Sequence, residues 1–276
     1  MESIVFNCEL ITPLFMSGAD GITPELRAPS IKGAMRYWWR AMHGDKDLKT
    51  LQELEGQIFG DTKQRSKVIV IVGEQPVTIN DNDMLPHKEN PNHRSPKKSY
   101  KNSTMLNIKL KMNSEIKLSN GNIFTLIQLK DLFILVATFG GLGKRSRRGM
   151  GSFKVLKEKM PLSVEEILTK IKTVNAHFSY TSVSNYPTIQ KIEIGKNIKT
   201  PNQIGTATHN EKLEDSSSNK SAYESTIGAG RPRFASPIYI SVLENGLPII
   251  TTLKTISPNQ RNLQMGIQQT LKEKIL

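Results

Sequence analysis

From Gly140 to Gly151 the chain reads Gly-Gly-Leu-Gly-Lys-Arg-Ser-Arg-Arg-Gly-Met-Gly, which places four positive charges in five residues between glycines. Glycine permits positive φ and close approach of another group to the backbone. Exposed N–H groups in such a turn can receive phosphate oxygens, and arginine forks onto the same phosphates. The chemistry on offer is the holding of a nucleic-acid backbone. Arg145 follows Gly143-Lys144 where a Walker A loop requires Ser or Thr, and Ser146 stands where a dinucleotide fingerprint requires its third glycine. Gly141, Gly143, Lys144, Arg145, Arg147 and Arg148 are therefore candidate RNA-binding residues.

A second cationic group lies in Ser30 to His43, Ser-Ile-Lys-Gly-Ala-Met-Arg-Tyr-Trp-Trp-Arg-Ala-Met-His. A helical step of 100° per residue puts Ile31, Ala34, Met35, Trp38 and Met42 on one side, a core stripe. Lys32, Arg36, Trp39, Arg40 and His43 gather on an adjacent side, which suits phosphate contact with base stacking. Trp38 reads as core, and Trp39 reads equally as a stacking platform or as core. A third basic stretch, Gly228-Ala229-Gly230-Arg231-Pro232-Arg233, adds Arg231 and Arg233 as candidate contacts. Asp20, in the turn-rich loop Ser17 to Arg27, reads as a turn cap. The histidines show no metal-ligand spacing and no nucleophile elbow is present, so neither metal nor cofactor is expected. His43 is the one candidate general base.

These groups need a scaffold, and the chain of 276 residues is long enough to build one with a real core. Its net charge of +13 favours polyanionic partners. The single cysteine excludes an intramolecular disulfide framework and a four-cysteine zinc site. The N-terminal residues lack a signal-peptide pattern and the longest apolar runs are too short to cross a bilayer, so a soluble, cytoplasmic protein without membrane contact is expected. Ile4, Phe6, Cys8 and Leu10 alternate as the buried face of a strand. Helices are expected from Ser30 to His43 and Lys46 to Ile58, and a buried strand over Lys67 to Val72. Residues 79–103 read as a long mobile insertion. Leu106 to Met112 reads as a half-buried strand. Asp131 is the expected cap of a helix ending near Phe139, and Ser152 to Leu156 reads as a closing strand. Beyond lie a helix over Pro161 to Val174, a mobile loop over 205–227, a hairpin turning at Asn245-Gly246, and a C-terminal helix with Leu263, Ile267, Leu271 and Ile275 on one face. The order predicts an α+β, ferredoxin-like fold. Its expected division is an N-terminal domain over 1–157 and a shorter, divergent half over 158–276.

Gly141-Leu142-Gly143, five residues, then Gly149-Met150-Gly151 resembles the glycine-rich loop of the RAMP superfamily of CRISPR proteins. Thr12 to Asp20 together with Glu25 to Arg40 resembles one family within it, the first Cmr subunit of type III-B CRISPR effector complexes. Arg233-Phe234-Ala235-Ser236-Pro237 is similar to a later segment of that family. The resemblance implies two ferredoxin-like RAMP halves. It also implies a non-catalytic, RNA-binding role in antiviral defence, near the 3′ end of the guide. The implied partners are CRISPR guide RNA, target RNA and the other Cmr subunits. The alternative is a metal-independent endoribonuclease that processes CRISPR transcripts, with His43 as its base.

Overall fold

The alternation at the N-terminus forms strand β1 (Glu2–Leu10), with Phe6, Cys8 and Leu10 buried. The computed structural model describes residues 1–83, 96–176, 186–213, 236–254, 269 and 271–276. After β1 come helices α1 (Ala28–Met42) and α2 (Leu48–Phe59), then β2 (Ile69–Val72), β3 (Ile79–Asp83), β4 (Pro96–Tyr100), β5 (Met105–Met112), β6 (Glu115–Lys117) and β7 (Ile123–Thr125). Helix α3 (Leu126–Phe139) and strand β8 (Phe153–Val155) complete the first unit. Four of its strands form an antiparallel sheet in the order β2-β5-β1-β8. Numbered among themselves from the β8 edge they stand 4-1-3-2, with α1 and α3 in the crossovers, which is the ferredoxin-like arrangement.

Among the described residues, the second half repeats this plan with three strands. It contains α4 (Val164–Thr173), β9 (Ile189–Ile194), α5 (Pro201–Leu213), β10 (Ile238–Val242), β11 (Pro248–Leu253) and a helical stretch at 271–275. Its sheet runs β10-β11-β9. That is the order 2-3-1 of the first three strands of a ferredoxin-like unit. Ile238, Ile240 and Val242 turn one face of β10 to Ile204 of α5 and to Leu271 and Ile275. The other face, carrying Tyr239, Ile249 and Leu253, joins the main core beside α1 and α3. The layers therefore run sheet, helix, sheet, helix. This explains why α3 is apolar almost all round: it is covered from both sides.

Four expectations need correction. Residues 79–83 and 96–100 pair as the hairpin β3–β4, and residues 84–95 lie outside the described ones. Its anchor is Tyr100, fully buried and bonded in both directions to the main chain of Leu14, at 2.9 and 3.1 Å. A polar stretch can thus be ordered by one residue at its end. Strand β2 is not buried on both faces but forms the sheet edge, leaving Ile69 40% and Ile71 38% exposed. A continuous apolar run carries no periodicity to distinguish the two cases. The cap of α3 is Thr125, in a capping box with Gln128, rather than Asp131. Asp131 lies inside the helix and accepts from Lys170 and Thr173 of α4, each at 2.7 Å. Finally, residues 205–213 of the expected loop belong to α5, and 214–235 lie outside the described residues, as do Leu263 and Ile267.

Burial raises the Cys8 thiol to about 12, so at neutral pH it is an inert packing group. Among the described residues no helix is long and apolar enough to cross a membrane.

Candidate nucleic-acid interface

The glycine-rich segment is a tightly threaded loop. Leu142 donates to the Gly151 carbonyl at 2.9 Å, Gly151 to Pro13 at 2.9 Å, and Lys144 to Phe15 at 2.7 Å. Segment 12–15 is thus held between the two glycine clusters. The Thr12 hydroxyl donates to the Gly149 carbonyl at 2.7 Å and accepts from the Ser152 amide at 2.9 Å. A Cβ on Gly141 would overlap the Met150 carbonyl, and one on Gly151 would overlap the Leu142 carbonyl. These glycines are required by the approach of the protein's own backbone, and the amides of Leu142, Lys144, Gly149 and Gly151 are already engaged. That corrects the reading of Gly141 as a place where a ligand nears the backbone. Gly143 does stay exposed, at the rim of the groove described below.

Three arginines occupy the tip. Arg145 takes left-handed φ of 59° and starts a single 3-10 turn, Ser146–Arg148. Arg147 donates to the Ser236 carbonyl at 2.8 Å and stacks over the Tyr239 ring, 4.6 Å from its centroid. Arg148 donates to the Ile238 carbonyl and the Ser236 hydroxyl, both at 3.2 Å. Desolvation, then repulsion from Arg145 and Arg147, lowers its pKa to about 10, still charged at neutral pH. Arg147 and Arg148 thus clamp the entry to β10 through their Nη1 groups. Arg145 differs: its Nε is buried without a partner, and among the described residues no carboxylate pairs with it. A partly buried guanidinium lacking an anion carries a desolvation cost that a phosphate would offset.

Lys144 is exposed and stands at the junction of two troughs. One, of about 390 Å³, runs between the glycine loop and the start of α1, past Ser17, Arg27, Ser30 and Ala34. The other, of about 310 Å³, runs past Phe15 and Ser17 to Asp81, Lys97 and Lys98 of the β3–β4 hairpin. Lys144 Nζ donates to Ser17 Oγ at 3.2 Å, and no carboxylate neutralises it among the described residues. The troughs share Phe15, Met16, Ser17 and Lys144, so together they form one open groove lined with cations and hydroxyls. Asp20 sits beside it as the expected turn cap, accepting from the amides of Ile22 at 2.9 Å and Thr23 at 3.0 Å. The Thr23 hydroxyl, then these amides, holds its carboxyl below the usual range.

The cationic side of α1 does not reach this groove. Arg36 Nε and Arg40 Nη1 both bond to Glu55 Oε1 of α2, at 2.5 and 2.7 Å, with Glu55 buried. Lys32 is half-buried, and desolvation with repulsion from Arg36 lowers its pKa. Trp39 is 1% exposed, packed on His43 and Phe59, and has no ring face left for a base. The reason is that α1 is covered by its own sheet, by the second sheet and by α2, so two apolar stripes are consumed rather than one. His43 is 3% exposed and its Nδ1 lies 2.7 Å from the Trp39 carbonyl, which removes it from any ribose 2′-hydroxyl in the groove. Arg231 and Arg233 lie outside the described residues. Glu55→Gln is expected to cost about 2 kcal/mol of stability, because two half-buried guanidiniums lose their shared charge. Urea unfolding checks this, and a change under about 0.5 kcal/mol would mean that the triad is solvated.

The sequence reading missed Ser17, Arg27, Ser30, Lys97 and Lys98. Lys97-Lys98 was visible as a basic pair, but only the pairing of Tyr100 with Leu14 brings it to Lys144.

The RAMP superfamily pattern matches residues 7–154. Two curated proteins of Pyrococcus furiosus are similar. The CRISPR system Cmr subunit Cmr1-2 is 45% identical over 73 residues, 25% of this chain and 39% of the relative. The CRISPR system Cmr subunit Cmr1-1 is 34% identical over 155 residues, 49% of this chain and 41% of the relative. The chain thus spans about two fifths of the length of these relatives. Among solved structures, apo Cmr1 of P. furiosus superposes with a TM-score of 0.64 at 22% identity, covering 100% of this chain and 97% of that one. A chain of the type III-B Cmr-beta complex bound to cognate target RNA gives 0.58 at 10% identity, covering 99% of each. At such identities these two likenesses concern the fold.

Proposed function

The chain belongs to the RAMP superfamily, and we propose on that premise that it is a non-cleaving, RNA-binding subunit of a type III-B CRISPR Cmr effector. The observation that carries this reading is the groove centred on Lys144, where Arg27, Lys97, Lys98 and Lys144 from three separate segments outnumber Asp81, the one acid among the described residues that line it. Lys144, Arg27, Lys97 and Lys98 would take phosphates, with Arg145 as a further anion contact at the rim. Ser17 and Ser30 offer hydroxyls to phosphate or ribose. Such contacts position a strand without reading its bases. The names of the curated relatives support the Cmr assignment, and the family resemblance supports guide or target RNA near the guide's 3′ end.

Cleavage by a metal-independent route would need a base within reach of a 2′-hydroxyl. The residues lining the groove include no histidine, and His43 is buried. Co-expression with the Cmr proteins of the same genome should yield one particle containing this chain and guide RNA. The purified chain should leave labelled guide RNA intact. A particle that forms without this chain, or cleavage lost in His43→Ala, would contradict the proposal.

A further inference from the structure

We infer that the free edge of β2 is a docking strand for a neighbouring protein, which adds an acidic β-strand to the first sheet. The inference rests on the proposed membership of a multisubunit particle, and it concerns residues that do not line the RNA groove.

Among the described residues, strand β2 is the outer strand of its sheet and is bonded only to β5. The Gly73 amide donates to the Asn107 carbonyl at 2.9 Å, one step beyond the pair Val72↔Ile108. In an antiparallel ladder, bonded and non-bonded pairs alternate. Ile71↔Lys109 and Ile69↔Lys111 are therefore the bonded pairs, and the N–H and C=O groups of Val70 and Val72 point off the edge. Among the described residues nothing bonds to them. The preceding residue is handled differently: the main chain of Val68 is closed off by the Ser66 hydroxyl, at 2.6 and 3.2 Å. An edge reading Ile-Val-Ile-Val, with no proline, charge or bulge within it, is what proteins ordinarily guard against.

The adjoining open face of the sheet indicates the occupant. Ile69, Ile71, Val5 and Met105 stand 38 to 52% exposed upon it. Lys109 and Lys111 lie between them, with no carboxylate partner among the described residues. The face carries no aromatic side chain, so it is no platform for stacked bases, and a nucleic acid cannot continue a peptide ladder. A second copy would bring another chain of net charge +13 with the same two lysines. A protein strand with carboxylates toward Lys109 and Lys111 satisfies both the backbone and the charge.

Val72→Pro tests this directly. It removes an outward N–H and leaves the donors at Ile69, Ile71 and Gly73 on β5 in place. Ile71→Lys is the second variant, which alters the face and keeps the backbone. Each is co-expressed, tagged, with the Cmr proteins of its genome, and binding of single-stranded polyuridine by the isolated chain is measured alongside. The protein subunit retained should fall about tenfold, with RNA affinity unchanged. Wild-type assembly matched by both variants would overturn the edge inference alone. A wild-type chain that retains no protein would overturn it together with the subunit reading. Loss of RNA affinity, or a wild-type dimer turned monomer by Ile71→Lys, would overturn it in favour of RNA or of a second copy.

Discussion

Gly151→Ala is expected to lower the free energy of unfolding by about 4 kcal/mol, enough to leave much of the protein unfolded at physiological temperature. Two effects add. Gly151 has φ of +68°, where a Cβ is strained by about 1–2 kcal/mol. The added atom would also overlap the carbonyl oxygen of Leu142, which itself accepts no relief by rotamer change because it is backbone. Relaxation would have to separate segment 140–143 from 149–151, breaking the bond from Leu142 to Gly151 and the one from Gly151 to Pro13. The comparison is Gly121→Ala. Gly121 has φ of +83° in the β6–β7 turn, and nothing stands near its missing Cβ, so only the conformational cost of about 1 kcal/mol remains. Urea unfolding of both variants separates the effects. Equal losses would show that the glycine loop opens freely, and the account of it as a threaded, self-packed element would be wrong.

Lys144→Glu is expected to weaken binding of single-stranded RNA by about tenfold near 0.1 M salt, and to lower the salt slope of log K by about 0.7. Lys144 stands where the two troughs meet, so one reversed charge faces the strand on both sides. Its backbone amide remains bonded to Phe15 whatever the side chain, so stability should be almost unchanged. Lys49→Glu, exposed on α2, makes the same change in net charge far from the groove in sequence and element. If both variants lose affinity equally, the chain binds RNA by total charge and not through the groove.

The two cases mark how far sequence reading carried. Periodicity located β1, α1 and β5, where buried and wetter positions alternate with the period of the element, and the turn signal Asn245-Gly246 located the β10–β11 hairpin, whose strands are buried throughout. The sequence reading found β2 and the end of α3 but not their surroundings, because both are apolar on every side for opposite reasons, one at an exposed edge and one between two sheets. The glycine loop was legible as a cationic turn, and its superfamily was legible from its spacing. Its glycines were assigned to ligand approach because close backbone contact between segments 12–15 and 140–151 leaves no trace in composition. The same limit applies to α1. Arg36 and Arg40 look identical to solvated or phosphate-binding arginines until Glu55, fifteen residues beyond Arg40, is brought against them. Lys97 and Lys98 show the reverse: cations inside an apparently loose insertion enter the candidate site through Tyr100.

Arg147 and Arg148 acquire a distinct role from this geometry. By holding Ser236 and Ile238 they tie the loop of the first half to β10 of the second sheet. The candidate groove and the junction of the halves are thus built from consecutive residues, Lys144 to Arg148, with Arg145 between the two.

The groove is tested most directly by ultraviolet cross-linking of the assembled particle, followed by mass spectrometry of the RNA-bearing peptides of this chain. Cross-links are expected in Phe15–Arg27, in Lys97–Lys101 and in Gly141–Ser146, the segments that bring Arg27, Lys97, Lys98 and Lys144 to it. Cross-links confined to α2 and the Arg36–Arg40 side of α1, with none in these segments, would contradict the account.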